Sequence, residues 1–421
     1  MSDDISSLVF LVYARSHVRL ELDEALLTAN AGRQIHLITT ETVTFAIQNG
    51  DPERARVVVH RYRDRTDITE GEVHDLIARV LDGRELPIHV TSLSESTVEL
   101  VGRVNLRLGL AERDYGHFVH KDRMKQEAAA LGVRTPRYHV WDRRRFLDEG
   151  PAYLKEVMSD VGLPCFVKPT NLYGGIGTRM LETRQAIHDW ALQRRYDAQR
   201  YECDEYIDWP IYQCDSIVCQ GVTEFCQVSV GSRPWADIYG GHNVGIRTLH
   251  PDDPLRARLT AVAERINAGF LNGGSGVTCL ELFVTAEDVV FLEIGYRPAG
   301  AGMASSPYYR QSQNVHLNEA HVLAQVDPTW RPRPTFRSHV AWVVVPQPMG
   351  EGVLARIVMP SLDCQTQMYW NVDVGSPVGA NAGLDRYAGA FLLWSDCYTS
   401  LTESYQRVLD ECRLELVAAH V

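Results

Sequence analysis

The sequence predicts a protein of mixed class, α/β at the N-terminus and α+β in the middle, with a small α+β cap at the C-terminus. Over about the first hundred residues, apolar strand-like segments alternate with amphipathic helical segments, a pattern typical of an open parallel sheet. Further along, strand-like segments recur with few helices between them, which indicates antiparallel pairing. A proline-dense segment at 328–334 separates the last α+β region from the rest.

The hydrophobic period defines the elements of the N-terminal region. Strands are predicted at 8–13, 34–39, 56–59 and 86–91, and helices at 19–31, 72–81 and 95–110. The turn after the first strand, Ala14-Arg15-Ser16-His17, contains no glycine, so this region is not expected to bind a dinucleotide.

The middle region is predicted to begin with a helix at 120–131, closed by Gly132, after a domain boundary near Phe118. Its strands are expected at 165–169, 211–219, 222–230, 277–283 and 289–294, and its other helices at 184–192 and 255–268. The cap is expected to contain strands at 340–345, 352–357 and 388–393 and a long helix at 400–416. The predicted domains are therefore 1–118, 119–203, 204–327 and 328–421.

The composition is that of a globular protein with sizeable cores: 421 residues, of which 45% are hydrophobic and 23% charged. The formal net charge of -12 argues against nucleic acid or an anionic membrane as a partner, because both require clustered positive charge. The 9 cysteines include no Cys-x-x-Cys pair and are expected to be reduced. The start, Met1-Ser2-Asp3-Asp4, is acidic and no apolar run reaches membrane-spanning length, so the protein is expected to be cytoplasmic.

Two glutamates, Glu281 and Glu293, lie on neighbouring strand-like segments, and Arg297 follows the second. Alternate residues of a strand point to one face, so antiparallel pairing of the two strands would bring the carboxylates together. Two carboxylates combined with nucleotide phosphate oxygens suit Mg²⁺. The alternative is a half-buried hairpin that carries two unrelated glutamates.

A second group of residues suits phosphate. Lys168 ends an apolar strand, and the segment Asn171-Leu172-Tyr173-Gly174-Gly175-Ile176-Gly177-Thr178 follows at once. The three glycines lack a Cβ, so their backbone N–H groups can approach polyphosphate oxygens closely, while Lys168 supplies a positive charge. No Gly-Lys-Ser/Thr follows, so this is not a Walker A motif. The alternative is a surface turn with a solvated lysine.

The acidic segment Glu202-Cys203-Asp204-Glu205-Tyr206-Ile207-Asp208-Trp209-Pro210 ends a strand and turns at a proline. Adenine needs one acceptor for its amino group and one donor for a ring nitrogen. Extended backbone at residues such as Glu205 and Ile207 offers both groups. The alternative is an acidic turn that is merely solvated.

In this order, the features resemble those of an ATP-grasp carboxylate–amine ligase. The resemblance runs from Lys121 through Phe-Val-Lys168-Pro, the glycine loop, the acidic segment and Glu281 to Leu-Glu293-Ile-Gly-Tyr-Arg297-Pro. It extends over nearly the whole chain and implies an ATP-grasp fold preceded by the N-terminal α/β domain. Within the superfamily, Arg297-Pro298-Ala299-Gly300-Ala301-Gly302 and Gly352-Val353-Leu354 are most similar to bacterial L-amino acid ligases, which make dipeptides.

The resemblance also implies a role for each motif. ATP would be held by Lys121, Lys168, Gly174, Gly175, Gly177, Asp204, Glu205, Tyr206 and Ile207. Mg²⁺ would be bound by Glu281 and Glu293, and the reacting carboxylate or its phosphate by Arg297. For Lys121, the alternative is a solvated lysine at a helix terminus, and for Arg297 it is a salt bridge to one of the two glutamates.

Two positions depart from the family pattern. Many members carry an asparagine two residues after the second glutamate as a further metal ligand, where this chain has Gly295. Many also carry a glutamate for the ribose hydroxyls near the position of Ile211, which leaves Gln213 or Asp215 as substitutes. The number of metal ions and the ribose contacts therefore stay open.

Substrate contacts are expected in the loop at 237–247 and after Arg297. Histidine is the side chain that most often transfers protons near neutral pH, so His242 is a candidate to orient the acyl phosphate or to accept a proton from the amine. The alternative is an incidental loop histidine. Small residues after Arg297, including Gly300 and Ala301, are expected to leave room for a substrate side chain larger than that of alanine.

The resemblance implies an ATP-dependent carbon–nitrogen ligase that joins one amino acid to the amine of another through an acyl phosphate, releasing ADP and phosphate. The expected cofactors are ATP and one or two Mg²⁺ ions, with Mn²⁺ as a substitute. The expected partners are small-molecule substrates and a second copy of the chain, because dimers are frequent in the resembled family. Two alternatives stay open: an ATP-grasp carboxylase or ligase for a non-amino-acid acid, and an inactive nucleotide-binding regulatory module.

Overall fold

The computed structural model describes residues 5–14, 19–28, 32–50, 56–63, 67–303 and 307–417, so most of the predicted turn at 14–17 lies outside the described residues. The N-terminal region contains β1 (Ser7–Tyr13), β2 (Leu20–Asp23), α1 (Glu24–Leu27), β3 (Arg33–Thr40), β4 (Phe45–Gln48), β5 (Val57–Tyr62), α2 (Glu70–Leu81), β6 (Ile88–Ser92) and α3 (Glu95–Arg107). Four of these strands form a parallel sheet in the order β5-β3-β1-β6, which confirms the predicted open parallel sheet.

The predicted helix at 19–31 is wrong over its first residues. Leu20 and Leu22 are buried and alternate with the half-buried Glu21 and Asp23, which is the period of a strand, and β2 pairs with β4 in parallel. The short helix α1 begins only after Asp23, whose carboxylate caps it by accepting a hydrogen bond from the backbone N–H of Leu26. The last part of the prediction, 29–31, lies outside the described residues.

A second sheet follows, built from short elements. They are α4 (Lys121–Ala130), β7 (Tyr138–Val140), α5 (Arg143–Glu149), α6 (Pro151–Val161), β8 (Cys165–Pro169), β9 (Arg179–Leu181), α7 (Arg184–Gln193) and β10 (Tyr201–Glu205). The strands pair antiparallel in the order β7-β10-β8-β9, and we call them the small sheet. Trp141, Tyr153 and Trp190 fill the core between these strands and their helices.

The rest of the chain is organised around a larger sheet. Its elements are β11 (Ile211–Cys219), β12 (Val222–Gly231), β13 (Val244–Thr248), α8 (Pro254–Leu271), β14 (Gly276–Val284), β15 (Val289–Gly295), α9 (Tyr308–Gln313), α10 (Leu317–Val326), β16 (His339–Val345), β17 (Gly352–Val358), β18 (Gln365–Trp370), β19 (Pro377–Val378), β20 (Gly389–Ser395), α11 (Tyr398–Glu411) and β21 (Arg413–Val417). Eight of the strands form the large sheet, in the order β15-β14-β11-β12-β13-β16-β20-β18. Every neighbouring pair in it is antiparallel, as predicted for the middle region.

The C-terminal region extends the large sheet with β16, β18 and β20, and it forms a separate three-stranded sheet from β19, β17 and β21. The predicted helix at 400–416 is too long, because α11 ends at Glu411 and β21 then pairs with β17. The domain boundaries stay predictions. None of the helices in the described ranges is long and apolar enough to cross a membrane.

Helix α10 joins the N-terminal region to the large sheet. Its first eight residues, Leu317–Ala324, are all buried. The Asn318 side chain donates a hydrogen bond to the backbone oxygen of Glu21 (3.1 Å), and the backbone N–H of Asp23 donates to Glu319 Oε1 (2.7 Å). Burial raises the pKa of Glu319 to about 7.

We expect this carboxyl group to make stability pH-dependent. Its pKa is higher in the folded chain than in the unfolded chain, so the folded chain holds the extra proton and stability falls as the pH rises through about 7. The loss should be on the order of 3 kcal/mol by about pH 8. Glu319→Gln, which can still accept from Asp23, should remove this slope in urea unfolding measured from about pH 5 to about pH 8.

The exposed Glu264 of α8 provides the control, because Glu264→Gln should leave the slope as it is in the parent protein. Equal slopes in Glu319→Gln and the parent would contradict the prediction.

Candidate active site

A cavity of about 320 Å³ lies where the small sheet, the large sheet and the N-terminal region meet. Most of the residues singled out in the sequence line it: Lys121, Lys168, Gly174, Gly175, Asp204, Glu205, Tyr206, Ile207, Glu281, Glu293, Arg297, Gly300 and Ala301. Gly177 and His242 are not among its lining residues. The functional roles of all of these residues stay predictions.

The two glutamates face each other across neighbouring strands. Glu281 of β14 pairs in register with Glu293 of β15, and a bulge follows directly after Glu281. Burial, and then the charge of Glu293, raise the pKa of Glu281 to about 8. Burial would also raise the pKa of Glu293, but Lys121 and Lys168 outweigh it and hold that pKa below its ordinary value. Among the described residues no lysine or arginine forms a salt bridge with Glu281, and the more distant charge of Arg297 lowers its pKa only in part.

This donor set fits a divalent cation. Two carboxylates on paired strands supply hard oxygen ligands, and the raised pKa of Glu281 shows how poorly its charge is compensated by the protein. Gln213 of β11 is the cross-strand partner of Glu281 on the other side and also lines the cavity. At Gly295 an added Cβ would lie 3.4 Å from the Arg297 guanidinium and from Glu95 Oε2, so this position lies beside a different ion pair.

Lys121 connects the glutamate pair to the glycine loop. Its Nζ donates to the backbone oxygen of Leu172 (2.5 Å) and lies 3.3 Å from Glu293 Oε2. The side chain is almost fully buried at the start of α4. Lys121 is thus not the solvated helix-terminal lysine that the sequence left as an alternative.

Four buried charges meet at the junction of α4 and the small sheet, and two of them, Lys168 and Asp204, also line the cavity. Lys125 Nζ donates to Glu202 Oε1 (2.6 Å) and to Asp204 Oδ1 (2.5 Å). Lys168 Nζ lies 2.7 Å from Asp204 Oδ2 and 3.6 Å from Glu202 Oε1. Burial lowers the pKa of Lys125, whereas the two carboxylates outweigh burial at Lys168 and raise its pKa. We call these four residues the buried ion cluster.

The glycine loop is packed against the large-sheet side of the cavity. Gly174, Gly175 and Gly177 all have positive φ angles, of 60°, 74° and 71°. A Cβ on Gly175 would lie 2.9 Å from the Cβ of Ala236, and one on Gly177 would lie 3.0 Å from Pro169 Cγ. Gly177 therefore serves the close packing of the loop on β8 and does not face the cavity.

The segment after β10 lines the cavity, and its role in binding adenine stays a prediction. The backbone N–H of Glu205 donates to the backbone oxygen of Arg137 (2.9 Å), and its carboxylate accepts from Arg137 Nε (2.6 Å). Ile207 follows outside the strand, and in the described chain its N–H donates to no backbone oxygen. Of the two residues named from the sequence, Ile207 and not Glu205 therefore keeps a backbone N–H that is not already used by another backbone group of the described chain. The carboxylate of Asp204 points into the buried ion cluster.

Arg297 is held by a residue that the sequence did not single out. Its Nε donates to Glu95 Oε2 (2.6 Å), and its Nη2 contacts the same oxygen. Nη1 donates to the backbone oxygen of Pro298 (2.9 Å). Burial opposes the charge of Arg297, but Glu95 outweighs it and raises its pKa. The alternative for Arg297 was a salt bridge to Glu281 or Glu293, whereas the partner lies on α3 of the N-terminal region.

His242 does not reach the cavity. It is exposed, directly after Gly241, which has a positive φ of 82° and would contact Met349 if it carried a Cβ. The next residue, Asn243, is buried and donates to three backbone oxygens at the end of α11, including that of Cys412 (2.8 Å). These bonds tie the loop to the C-terminal region, so a substrate role for His242 has no geometric support.

The lining also contains apolar and small residues. Among them are Tyr13, Leu20, Met303, Gly300 and Ala301. Ile211 also lines the cavity, but Asp215 does not. The Asp215 carboxylate accepts from the Gln213 amide (2.8 and 3.0 Å) and from the Tyr309 hydroxyl (2.8 Å). Of the two substitutes for ribose binding, only Gln213 is in a position to act.

Comparisons with known proteins agree on the fold. No protein-family model matches the chain. The formate-dependent phosphoribosylglycinamide formyltransferase of Synechocystis sp. is 27% identical over 289 residues, which are 64% of this chain and 69% of that protein. The Methylococcus capsulatus protein of the same name is 30% identical over 293 residues, 64% of this chain and 66% of that protein. Against several other relatives of that name the chain spans about half of their length, as with Synechococcus elongatus (51%).

Two solved structures cover nearly the whole chain. The L-amino acid ligase of Bacillus licheniformis has a TM-score of 0.67 at 13% identity, covering 99% of this chain and 100% of its own. The carboxyaminoimidazole ribonucleotide synthase of Aspergillus clavatus, solved with ATP, has a TM-score of 0.64 at 14% identity, covering 97% and 98%. These similarities show the ATP-grasp fold that the sequence predicted. The narrower resemblance to dipeptide-forming ligases is not confirmed, because the sequence relatives carry another name.

We expect removal of one cation from the buried ion cluster to destabilise the protein strongly. Lys125→Met keeps the length and apolar stem of the side chain but leaves the buried carboxylates without half of their positive charge. The expected loss is about 3–5 kcal/mol of unfolding free energy in urea titrations. Lys155→Met, on the exposed face of α6, is the matched control and should change stability little. A similar small effect of both substitutions would contradict the prediction.

Proposed function

We propose that this chain, which has the ATP-grasp fold, is an ATP-dependent ligase that joins a carboxylate to an amine through an acyl phosphate, giving an amide, ADP and phosphate. The observation that carries the proposal is the order of charges along one cavity. Lysines, a pair of glutamates and an arginine line it in sequence, from the small sheet to the N-terminal region.

The nucleotide would lie along the small sheet. Ile207 N–H would donate to a ring nitrogen of adenine, and the neighbouring backbone oxygens would accept from its amino group. Lys168 and Lys121 would then meet the phosphates, with Gly174 and Gly175 of the glycine loop covering them. In this order the transferred phosphoryl group would lie next to Glu293, which Lys121 already contacts at 3.3 Å.

Glu281 and Glu293 would hold Mg²⁺ together with phosphate oxygens. The bound ion would neutralise charge that accumulates on the transferring phosphoryl group. The chain's own contribution is the fixed register of β14 and β15, which holds the two carboxylates opposite each other before any ligand binds.

Arg297 would bind the substrate carboxylate and later the phosphate or oxyanion that forms on it. Its planar guanidinium suits bidentate contact with such oxygens, and it is largely shielded from water. No covalent enzyme nucleophile is required. The one cysteine in the described lining, Cys279, supports this, because burial raises the pKa of its thiol well above the ordinary value and keeps it neutral.

For the substrates, two candidates have support. An amino acid pair is favoured by the apolar and small residues of the lining, which include Tyr13, Leu20, Met303, Gly300 and Ala301. A side chain larger than a methyl group would be accommodated there. Formate with a phosphoribosylated amine is favoured by the names of the sequence relatives. An inactive nucleotide-binding module is disfavoured, because both lysines, both glutamates and Arg297 are present in one cavity.

The test is phosphate release from Mg-ATP across a matrix of carboxylates and amines. The carboxylates are formate and the amino acids, and the amines are the amino acids and phosphoribosylglycinamide. We expect release only when a carboxylate and an amine are both present, and a loss of about 100-fold or more in Glu293→Gln, which removes one of the two paired charges. Glu287→Gln, exposed in the turn of the same hairpin, should keep full activity.

Release that requires two amino acids would select the amino acid pair, and release that requires formate would select the formyl reaction. Phosphate release that continues without any carboxylate, or that is unchanged in Glu293→Gln, would overturn the proposal.

Arg297→Lys gives a second test. Lysine keeps the positive charge but loses the planar pair of donors, so the KM for the carboxylate should rise and kcat/KM for it should fall by about 10–100-fold. The KM for ATP should change little, because the adenine and phosphate contacts are on the small sheet. Steady-state kinetics with each substrate varied in turn measures both constants. A rise confined to the KM for ATP would contradict the assignment of Arg297 to the carboxylate.

A further inference from the structure

The N-terminal region contributes a carboxylate, that of Glu95, to the lining of the cavity. Glu95 is the first residue of α3, it lines the cavity, and its side chain is 17% exposed. Its contact with Arg297 joins two residues that are 202 positions apart in the chain. Helix α3 thus places a carboxylate of the N-terminal region beside Arg297.

Only one oxygen of this carboxylate is used by Arg297. Both guanidinium contacts, from Nε and from Nη2, are made to Oε2. Within the described ranges no donor reaches Oε1, so this oxygen keeps its lone pairs for a further hydrogen bond. Glu95 therefore neutralises Arg297 and still has an acceptor to offer.

The other acidic residues in the described lining are already committed. Glu281 and Glu293 face each other at the proposed metal position, and Asp204 lies in the buried ion cluster. Glu205 is bound by Arg137. Asp208 is exposed at the outer end, beyond Ile207. Glu95 is thus the acidic group of the described lining that combines an open oxygen with a position beside Arg297.

We infer that Glu95 binds the amine substrate, through Oε1, and takes the proton that the amine must lose. This assignment rests on the proposed ligase function. A primary amine is a cation near neutral pH and cannot attack, so a carboxylate beside the acyl group would both attract it and accept its proton. The amine nitrogen then forms a bond to the acyl carbon, the bond from that carbon to the phosphate oxygen breaks, and phosphate leaves. The nitrogen loses its second proton as phosphate leaves, and that proton passes to the departing phosphate, while the first proton passes from Glu95 to solvent.

The competing role for Glu95 is structural. As a partner of Arg297 it could act as a positioning residue that orients the guanidinium and never meets substrate. The two roles differ in which half of the reaction they affect. A positioning residue supports carboxylate activation and amide formation alike, whereas an amine-binding residue supports only the second half.

Hydroxylamine separates the two halves, because it is mostly unprotonated near neutral pH and traps an acyl phosphate as a hydroxamate without a base. The experiment uses the full chain, Mg-ATP and the carboxylates of the matrix above, with either hydroxylamine or the amines of the matrix as nucleophile. Glu95→Gln keeps an oxygen that can accept from Arg297 but removes the charge. We expect hydroxamate formation within about twofold of the parent protein, and amide formation reduced by about 100-fold.

The pH profile gives a second readout. In Glu95→Gln only the free amine can react, so amide formation should rise about tenfold for each pH unit below the pKa of the amine, whereas the parent profile should be flatter. Glu99→Gln is the matched control. Glu99 lies one turn further along α3, contacts His120 at 3.3 Å and does not line the cavity, so both nucleophiles should react as in the parent protein.

Three results would count against the inference. Equal losses of hydroxamate and amide in Glu95→Gln would assign Glu95 to the positioning of Arg297. Unchanged amide formation would remove it from the reaction altogether. Absence of hydroxamate with the parent protein, for every carboxylate, would overturn the proposed function itself and this inference with it.

Discussion

The buried ion cluster of Lys125, Lys168, Glu202 and Asp204 is the constraint on which the geometry of the site depends. Charges removed from water must be paired closely, so α4 can approach the small sheet only where Lys125 meets both carboxylates. Lys121 precedes Lys125 by four residues and lies on the same face of α4. The pairing that fixes Lys125 therefore also fixes Lys121, and with it the charge beside Glu293.

The same principle operates across the whole cavity, because each cation proposed to act on a ligand is held by a carboxylate of the chain. Lys168 is held by Asp204, Lys121 by Glu293 and Arg297 by Glu95. A phosphate or carboxylate group that enters the cavity replaces a carboxylate of the chain as the partner of one of these cations. Its binding therefore buries less uncompensated charge than it would in an apolar pocket. The cavity can therefore bind a charged ligand specifically, and the protein is still stable when no ligand is bound.

Sequence patterns predicted the features that depend on the local spacing of apolar residues. They missed the features that depend on contacts between residues far apart in the chain. Strand 211–219 has the predicted bounds, and Glu281 and Glu293 face each other because both stand on apolar strands with alternating faces.

Glu95 and Lys125 could not be singled out from the sequence. Glu95 looked like an ordinary acidic residue in the first turn of a helix, and Lys125 looked like a residue on the polar face of a helix. Strands of three residues, such as β7 and β9, carry too few residues to show a period. His242 was chosen for its chemistry alone, and the bonds of Asn243 to the end of α11 are invisible in the sequence.

The activation machinery and the amine end of the cavity come from different parts of the chain. Every group assigned to ATP, metal and carboxylate lies between Lys121 and Arg297, on the small sheet, the large sheet and α4. Tyr13, Leu20 and Glu95 come from the N-terminal region, whose position against the large sheet is fixed by α10 through Asn318 and Glu319. Carboxylate activation can therefore stay constant while the N-terminal region changes the amine that is accepted. On this argument, a change confined to the N-terminal region can alter the second substrate of a ligase of this fold and leave its first half-reaction as it is.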